Sequence, residues 1–396
     1  MNRIEFNQPH ITGKEALYIS EVFTDKKLSG NGKFTQRCQD LFKNKYGFLK
    51  CLLTTSCTDA LEMSSILCDI KPGDEVIMPS YTFVSTANPF ALRGANIRFV
   101  DSMENIPNMN VDKIEELINK KTKAIVPVHY AGVACNMDKI MTLAAKYNLV
   151  VIEDAAQAID SYYYGKPLGS IGNMSAFSFH ETKNIVSGEG GLLTVNDERL
   201  LKRAEIIWEK GTNRAAFFRG EINKYGWVDV GSSFLPAEIV AAFLFAQLEN
   251  IDTIQNRRKE IWNKYYNGLQ ELEENGICRR PYIPEYASNN AHMFYLVFNE
   301  ADDRNKLMAH LKTKGISTVF HYLSLHKSDY FADKHDGREL KMSDNYTECL
   351  LRLPLFYDLT SENTEEIIDA ILDYFKGKNY KQTRIVTNVE AYSSAI

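Results

Sequence analysis

The sequence predicts an α/β protein built on a mainly parallel sheet, followed by a smaller α/β unit. Three observations carry this. Short apolar runs alternate with helical stretches through roughly the first 245 residues. Those runs are apolar throughout, as in strands covered on both faces. From Pro236 the pattern changes to long helix and then to a second series of strand and helix.

The expected strands of the first unit are KCLLTTS (50–56), DEVIMPS (74–80), NIRFVD (96–101), AIVPVHYAG (124–132), NLVVIEDAA (148–156), SAFSFH (175–180) and GGLLTVN (190–196). The helix-like CTDALEMSSILCDI follows the first, and TFVSTANPFALRG the second. NMDKIMTLAAKY separates the fourth from the fifth, with Met137, Ile140, Met141 and Ala144 at helical spacing. The stretch from PAEIVAAFLFAQ to Gly276 reads as one long helix or two in succession. HMFYLVFN (292–299), a helix over DDRNKLMAHLKTKG, the run ISTVFHYLSLH (316–326) and a helix near SENTEEIIDAILDYFKG complete the second unit. We divide the chain into an N-terminal arm and large domain (1–245), a small C-terminal domain (246–380) and a polar tail (381–396). No internal repeat of fixed period is seen.

Composition narrows the function. Of 396 residues, 44% are apolar and 24% charged, which is ordinary globular usage. A net charge of -5 and a pI of about 6.0, with no basic stripe, argue against a nucleic-acid binder. The first residues lack a basic flank and apolar run, and no stretch approaches ~18 uncharged apolar residues, so a cytoplasmic protein without a membrane partner is expected. Seven cysteines without a C-x-x-C argue against a disulfide framework or a zinc site. No metal is expected.

Three motifs carry chemistry. In VVIEDAAQ an apolar strand ends in Glu153 and Asp154, where a parallel sheet presents ligands; an Asp capping the next helix is the even alternative. In SAFSFHETKNIVSGEGG, Lys183 lies four residues past Phe179 in a loop before a glycine-rich turn. Lysine forms a Schiff base with an aldehyde cofactor; a solvated lysine is the ordinary alternative. The pair changes the odds, because Asp154 and Lys183 each follow one of two nearby expected strands. Such a pair suits pyridoxal phosphate (PLP), one group keeping the ring nitrogen protonated and the other holding the aldehyde. In TTSCTDAL a strand runs through Ser56, Cys57 and Thr58 into a helix, whose first N–H groups and hydroxyls could cradle a phosphate. An ordinary helix cap explains that segment equally, and Ser178 could add a hydroxyl. SGNGKFT (29–35) only superficially resembles a P-loop, since position 27 is Lys.

These residues together resemble the DegT-type sugar aminotransferases, over roughly residues 4–376. PGDEVIMPSYTFVSTANPF, PVHYAGVACNMD, VIEDAAQ, FSFHETKN, GEGG, EKGTNR, FHYLSLH and RLPLFY all match. The resemblance implies a PLP-dependent transferase of fold type I, like aspartate aminotransferase, with the large domain binding PLP. FSFHETKN and YGWVDVGSSF resemble the branch that moves the amino group of L-glutamate to TDP-4-keto-6-deoxy-D-glucose. The product is TDP-4-amino-4,6-dideoxy-D-galactose, for surface polysaccharide such as enterobacterial common antigen or O-antigen.

Carried onto this sequence, the resemblance has Lys183 bond the cofactor and Asp154 pair with the pyridinium nitrogen. Gln157 would bond the ring's 3-hydroxyl oxygen and Phe83 would cover the ring face. Ser56, the Cys57 N–H, Thr58 and Ser178 would hold the phosphate. Most of the family has an asparagine where this chain has Ser233, so Ser233 would have to reach the neighbouring subunit's phosphate. Lys210, Arg214 and Arg219 are candidates for the substrate's anionic groups, and His321 and Tyr322 for sugar or cofactor contacts. A homodimer with shared active sites is implied. Rival readings are a 3-keto substrate, a 4-amino gluco product, or a non-catalytic regulator that binds PLP or a sugar nucleotide.

Overall fold

The computed structural model describes residues 3–377; the expected polar tail lies outside the described residues. Helices α1 (Glu15–Asp25) and α2 (Lys33–Tyr46) come first. The P-loop look-alike forms the start of α2. Its N–H groups at Gly32, Phe34 and Thr35 donate to the Glu238 carboxylate at 2.8, 2.8 and 3.3 Å. A protein carboxylate therefore takes the place a phosphate would fill at this helix N-terminus. Gly32 permits it, since a Cβ there would stand 2.6 Å from Cδ of Glu238.

The large sheet follows. Strand β1 (Lys50–Thr54) runs into α3 (Cys57–Leu67), and β2 (Glu75–Pro79) into α4 (Asn88–Leu92). Then come β3 (Asn96–Val100), β4 (Thr122–Ile125), α5 (Met137–Tyr147) and β5 (Val150–Asp154). A small hairpin, β6 (Tyr162–Tyr163) and β7 (Lys166–Pro167), precedes β8 (Met174–Ser178) and β9 (Gly191–Val195). The seven strands lie in the order β1-β9-β8-β5-β4-β2-β3. Strand β9 is antiparallel to both neighbours and every other pair is parallel. The reversal has a simple cause. Residues 179–190 contain no helix to carry the chain back across the sheet, and a parallel return needs such a crossover.

Alternate residues face opposite sides. Leu53, Val151, Phe177 and Leu192 pack under α2 and α5, whereas Leu52, Ile152, Ala176 and Leu193 pack under α3. The chain continues through α6 (Leu201–Trp208), α7 (Arg214–Phe218), α8 (Glu238–Glu249), α9 (Ile251–Gly268) and α10 (Gln270–Glu274). The expected long helix is thus broken, first at Asn250. Residue 245 falls inside α8. Helix α9 leaves the first core at Ile251 and Ile254 and enters another at Ile261, Trp262 and Tyr265.

That second core lies on a three-stranded antiparallel sheet of β10 (Cys278–Arg279), β11 (Phe294–Phe298) and β12 (Leu350–Leu353). Helices α11 (Ala301–Thr313) and α13 (Ser361–Phe375) complete it, while α12 (Lys341–Cys349) packs Tyr346 and Cys349 with Tyr295, Val297 and Leu350 on the sheet's other face. The run 316–326 forms no regular strand. Ile316 bridges Ile4, Val319 bridges Arg352, and a single 3₁₀ turn spans Leu325–Lys327.

Candidate active site

Strands β5 and β8 are parallel neighbours, so their carboxyl ends open on one edge. Asp154 ends β5 and is 5% exposed. Its Oδ2 accepts from the Thr86 hydroxyl at 2.7 Å and its Oδ1 from the Ala156 N–H at 3.2 Å. The residues after it form turns, so Asp154 caps no helix. Its neighbour Glu153 points to the other face and accepts from His129 Nε2 and the N–H groups of Gly169, Ile171 and Gly172. Only the second of the two carboxylates is left to the crevice.

Lys183 sits in the loop from β8 to β9. The loop is fixed next door, where Asn184 donates to Gln255 and to the Asn290 carbonyl and its side-chain oxygen is 2.8 Å from His292 Nδ1. Burial draws the Lys183 amine below the usual lysine range, against the opposing pull of Cys57 and Asp154. Burial also pushes Asp154 above the usual carboxylate range, although Thr86, Ala156 and Lys183 oppose it. The carboxylate and the amine are near enough to act on each other electrostatically, and burial penalises the charged form of both. A ring with a protonated nitrogen at one end and an aldehyde at the other satisfies both, so the residues fit PLP.

Of the other predicted cofactor contacts, Cys57 is near enough to act electrostatically with both Asp154 and Lys183. Gln157 donates to the Tyr322 hydroxyl at 2.9 Å and accepts from the Ala131 N–H at 2.6 Å. Phe83 is 55% exposed, its ring 6.1 Å from that of Tyr322. Cys57 opens α3, where N–H groups lack helical partners. Gly191, the first residue of β9, packs against this point. A Cβ there would stand 2.4 Å from the Ser56 carbonyl and 2.5 Å from the Cys57 nitrogen. The hydroxyls are already engaged: Ser56 caps α3 by accepting from the Asp59 N–H at 3.0 Å, Thr58 donates to Ser85, and Ser178 accepts from the His180 N–H. The segment expected to receive a phosphate is thus observed as a helix cap.

The candidate substrate residues divide. His321 Nδ1 lies 2.8 Å from the Tyr130 hydroxyl and its ring stacks on Tyr322 at 3.5 Å. Burial, with Arg352 and Lys183 nearby, holds His321 well below the usual histidine range. Arg219 is committed to Glu205 and Glu221. Arg214 lies 3.6 Å from Glu209 and over the Phe218 ring. Lys210 is exposed with φ 64°, and exposed Ser233 bridges Glu209. Two residues escaped the sequence reading. Thr86, inside TFVSTANPF, holds Asp154. Arg352 is a lone cation in the apolar LLRLPLF, and that pattern was its signal.

Among the described residues, no group of three or more His, Cys, Asp or Glu is placed to hold a metal ion. No helix among them is long and apolar enough to cross a membrane.

Comparison with known proteins adds a separate line of evidence. The DegT/DnrJ/EryC1/StrS aminotransferase family model matches residues 9–372. The spore coat polysaccharide biosynthesis protein SpsC of Bacillus subtilis is 32% identical over 383 residues, 94% of this chain and 97% of that protein. GDP-perosamine synthase of Escherichia coli O157:H7 is 31% identical, over 96% of this chain and 100% of its own length. The PLP form of Spr1654 from Streptococcus pneumoniae superposes with a TM-score of 0.84 at 25% identity, covering 93% of this chain and 98% of that one.

Proposed function

The chain belongs to the DegT/DnrJ/EryC1/StrS aminotransferase family, and from that premise we propose that it carries the amino group of L-glutamate to TDP-4-keto-6-deoxy-D-glucose. It is a PLP-dependent sugar aminotransferase of fold type I. The products of the proposed reaction are TDP-4-amino-4,6-dideoxy-D-galactose and 2-oxoglutarate, the amino sugar serving surface polysaccharide such as enterobacterial common antigen or O-antigen. The observation that carries the chemistry is the approach of Lys183, in the loop after β8, to Asp154 at the end of the adjacent parallel β5. The choice of sugar nucleotide rests on the likeness of FSFHETKN and YGWVDVGSSF to that branch.

When bound, PLP supplies an aldehyde for the amine and a protonated ring that takes up an electron pair. Lys183 Nζ holds the cofactor. The same amine, made less basic by burial, takes the donor's α-proton and returns a proton to the acceptor. Asp154 sets its negative charge against the ring nitrogen, with its oxygens fixed by Thr86 and Ala156. Gln157 and Tyr322 wall one side, and the α3 N-terminus at Ser56, Cys57 and Thr58 receives the phosphate. One amine site serving donor and acceptor in turn gives ping-pong kinetics.

The proposal includes a homodimer. Phe218, Tyr225, Trp227, Val228 and Val230 are 69, 54, 84, 54 and 47% exposed, close in sequence to Ser233. A second copy covering them removes an apolar patch from water and brings Ser233 to the partner's site. Sedimentation across a dilution series checks this; a fully active monomer argues against it.

The deciding experiment supplies TDP-4-keto-6-deoxy-D-glucose and L-glutamate and reads product configuration by NMR. A 4-amino galacto product is expected, and a 3-amino or gluco product redirects the assignment. Lys183→Ala should lose both turnover and the visible absorbance of lysine-bound cofactor. Turnover retained in that variant overturns the mechanism.

A further inference from the structure

We propose that Asn184 is the positioning residue for Lys183. Its side-chain amide locks the lysine's loop to α9 and to the chain entering β11, and so sets where the amine stands. This deepens the reading above and rests on Lys183 being the lysine that holds the cofactor. Between β8 and β9 the chain runs through residues 179–190 with no helix or strand of its own. A lysine in such a loop inherits no fixed place from the sheet. Its own N–H makes a local turn, donating to the His180 carbonyl at 2.9 Å. The anchor is the next residue along the chain.

Asn184 is buried, and both its amide hydrogens and its oxygen are engaged. The NH₂ donates to Gln255 Oε1 on α9 and to the Asn290 carbonyl, both at 2.8 Å. Both partners are acceptors, so the amide has one orientation, with its oxygen 2.8 Å from His292 Nδ1. An amide oxygen only accepts, so the proton between them belongs to His292 Nδ1. Burial, with Lys183 nearby, holds that histidine well below its usual range. The anchors are pinned in turn. Arg258, one turn after Gln255 on α9, donates to the carbonyls of Ala291 and His292 at 3.1 and 2.8 Å. Asn290 donates to the carbonyls of Gln157 and Ile159 at 2.8 and 2.9 Å and accepts from the His292 N–H at 3.1 Å. Gly132, at φ 78°, leaves room for it, since a Cβ there would stand 2.0 Å from Asn290 Oδ1. One buried network therefore joins the residue beside Lys183 to the backbone of Gln157, the residue expected at the ring's 3-hydroxyl. With its amides engaged, such a network keeps one arrangement, and the amine beside it keeps one place. Place governs rate, because a misplacement of about 1 Å at a reacting group can cost about 10²-fold.

The test compares wild type with Asn184→Ala and Gln255→Met. PLP is stripped from each protein and added back, and the visible absorbance of the lysine-bound cofactor is followed. Asn184→Ala should take up PLP about 10–100-fold more slowly. In the reloaded protein kcat should fall by a similar factor, while the KM for L-glutamate stays within about threefold. Gln255→Met removes one of the three partners at similar volume and should fall between, which preserves the test if the alanine variant does not fold. Glu238→Ala, destabilised at the start of α2 and far from this network in the chain, should take up PLP at the wild-type rate. Uptake within about threefold of wild type in a folded Asn184→Ala or, failing that, in Gln255→Met overturns the inference. Slow uptake shared by Glu238→Ala at an equal loss of stability also overturns it, because the effect is then one of stability alone. Visible absorbance that survives Lys183→Ala removes the reading above and this inference with it, whereas normal uptake in the Asn184 and Gln255 variants removes this inference alone.

Discussion

Asp154→Asn separates the charge of Asp154 from its shape. The amide can keep the Ala156 N–H on its oxygen and turn its NH₂ toward Thr86. The Thr86 hydroxyl then accepts that NH₂ and donates to Thr82 Oγ1, which is 2.8 Å away. Every local contact therefore has a replacement, and the cost to folding should stay under about 1 kcal/mol. Catalysis has no such substitute. Removing one member of a buried ion pair costs about 3–5 kcal/mol. At roughly 1.4 kcal/mol per factor of ten, that is a fall of about 10²–10⁴ in the rate of the glutamate half-reaction. Stopped-flow spectroscopy with excess L-glutamate measures the rate, and urea unfolding measures the fold. A rate within tenfold of wild type, or a loss of stability large enough to account for the rate, refutes the reasoning.

Three further predictions follow from the surroundings of the site. Gly191→Ala forces a methyl group into the Ser56 and Cys57 backbone, so stability should drop by about 1–3 kcal/mol and PLP should dissociate faster; dialysis with residual absorbance reads the second effect, and unchanged retention counts against the cradle. Glu238→Ala strips the start of α2 of its acceptor for Gly32, Phe34 and Thr35, lowering unfolding free energy by about 2–5 kcal/mol, and a urea midpoint like that of wild type contradicts it. Glu153 is pushed up by burial but drawn further down by His129 and the N–H groups of Gly172 and Gly169, ending below its ordinary 4.5. A depressed carboxyl contributes stability that is whole above the unfolded value and lost as pH falls through the folded one. Glu153→Gln should therefore flatten the loss of stability below about pH 4.5, and acid unfolding profiles that superpose with wild type refute this.

The sequence by itself determined the architecture and brought Asp154 and Lys183 forward as a pair. Fully apolar runs separated by helices can be covered only from both sides, so a mainly parallel sheet followed from composition and period. A carboxylate and a lysine that each follow such a strand must emerge at its carboxyl edge, which is why Asp154 and Lys183 were legible. Sequence also exposed the SGNGKFT resemblance as false through spacing, but could not say what fills that helix N-terminus. Glu238, more than 200 positions away, does so. Other features depended on partners equally remote. Strand β9 reverses because a loop lacks a helix, not because its residues prefer that direction. The segment that read along the chain as a helix cap or a phosphate cradle is capped by Ser56 and closely approached by Gly191, a contact no local pattern announces. Arg219, plausible as an anion receptor, is neutralised by Glu205 and Glu221 once the helices pack. Arg352 looked like one polar residue in an apolar strand. Its surroundings came from strand parity, which sets it across from Tyr295 on the face that Tyr130 and Tyr81 share. Local pattern fixes which residues lie on which element, whereas the satisfaction of buried polar groups is settled between elements, and only tertiary structure decides it.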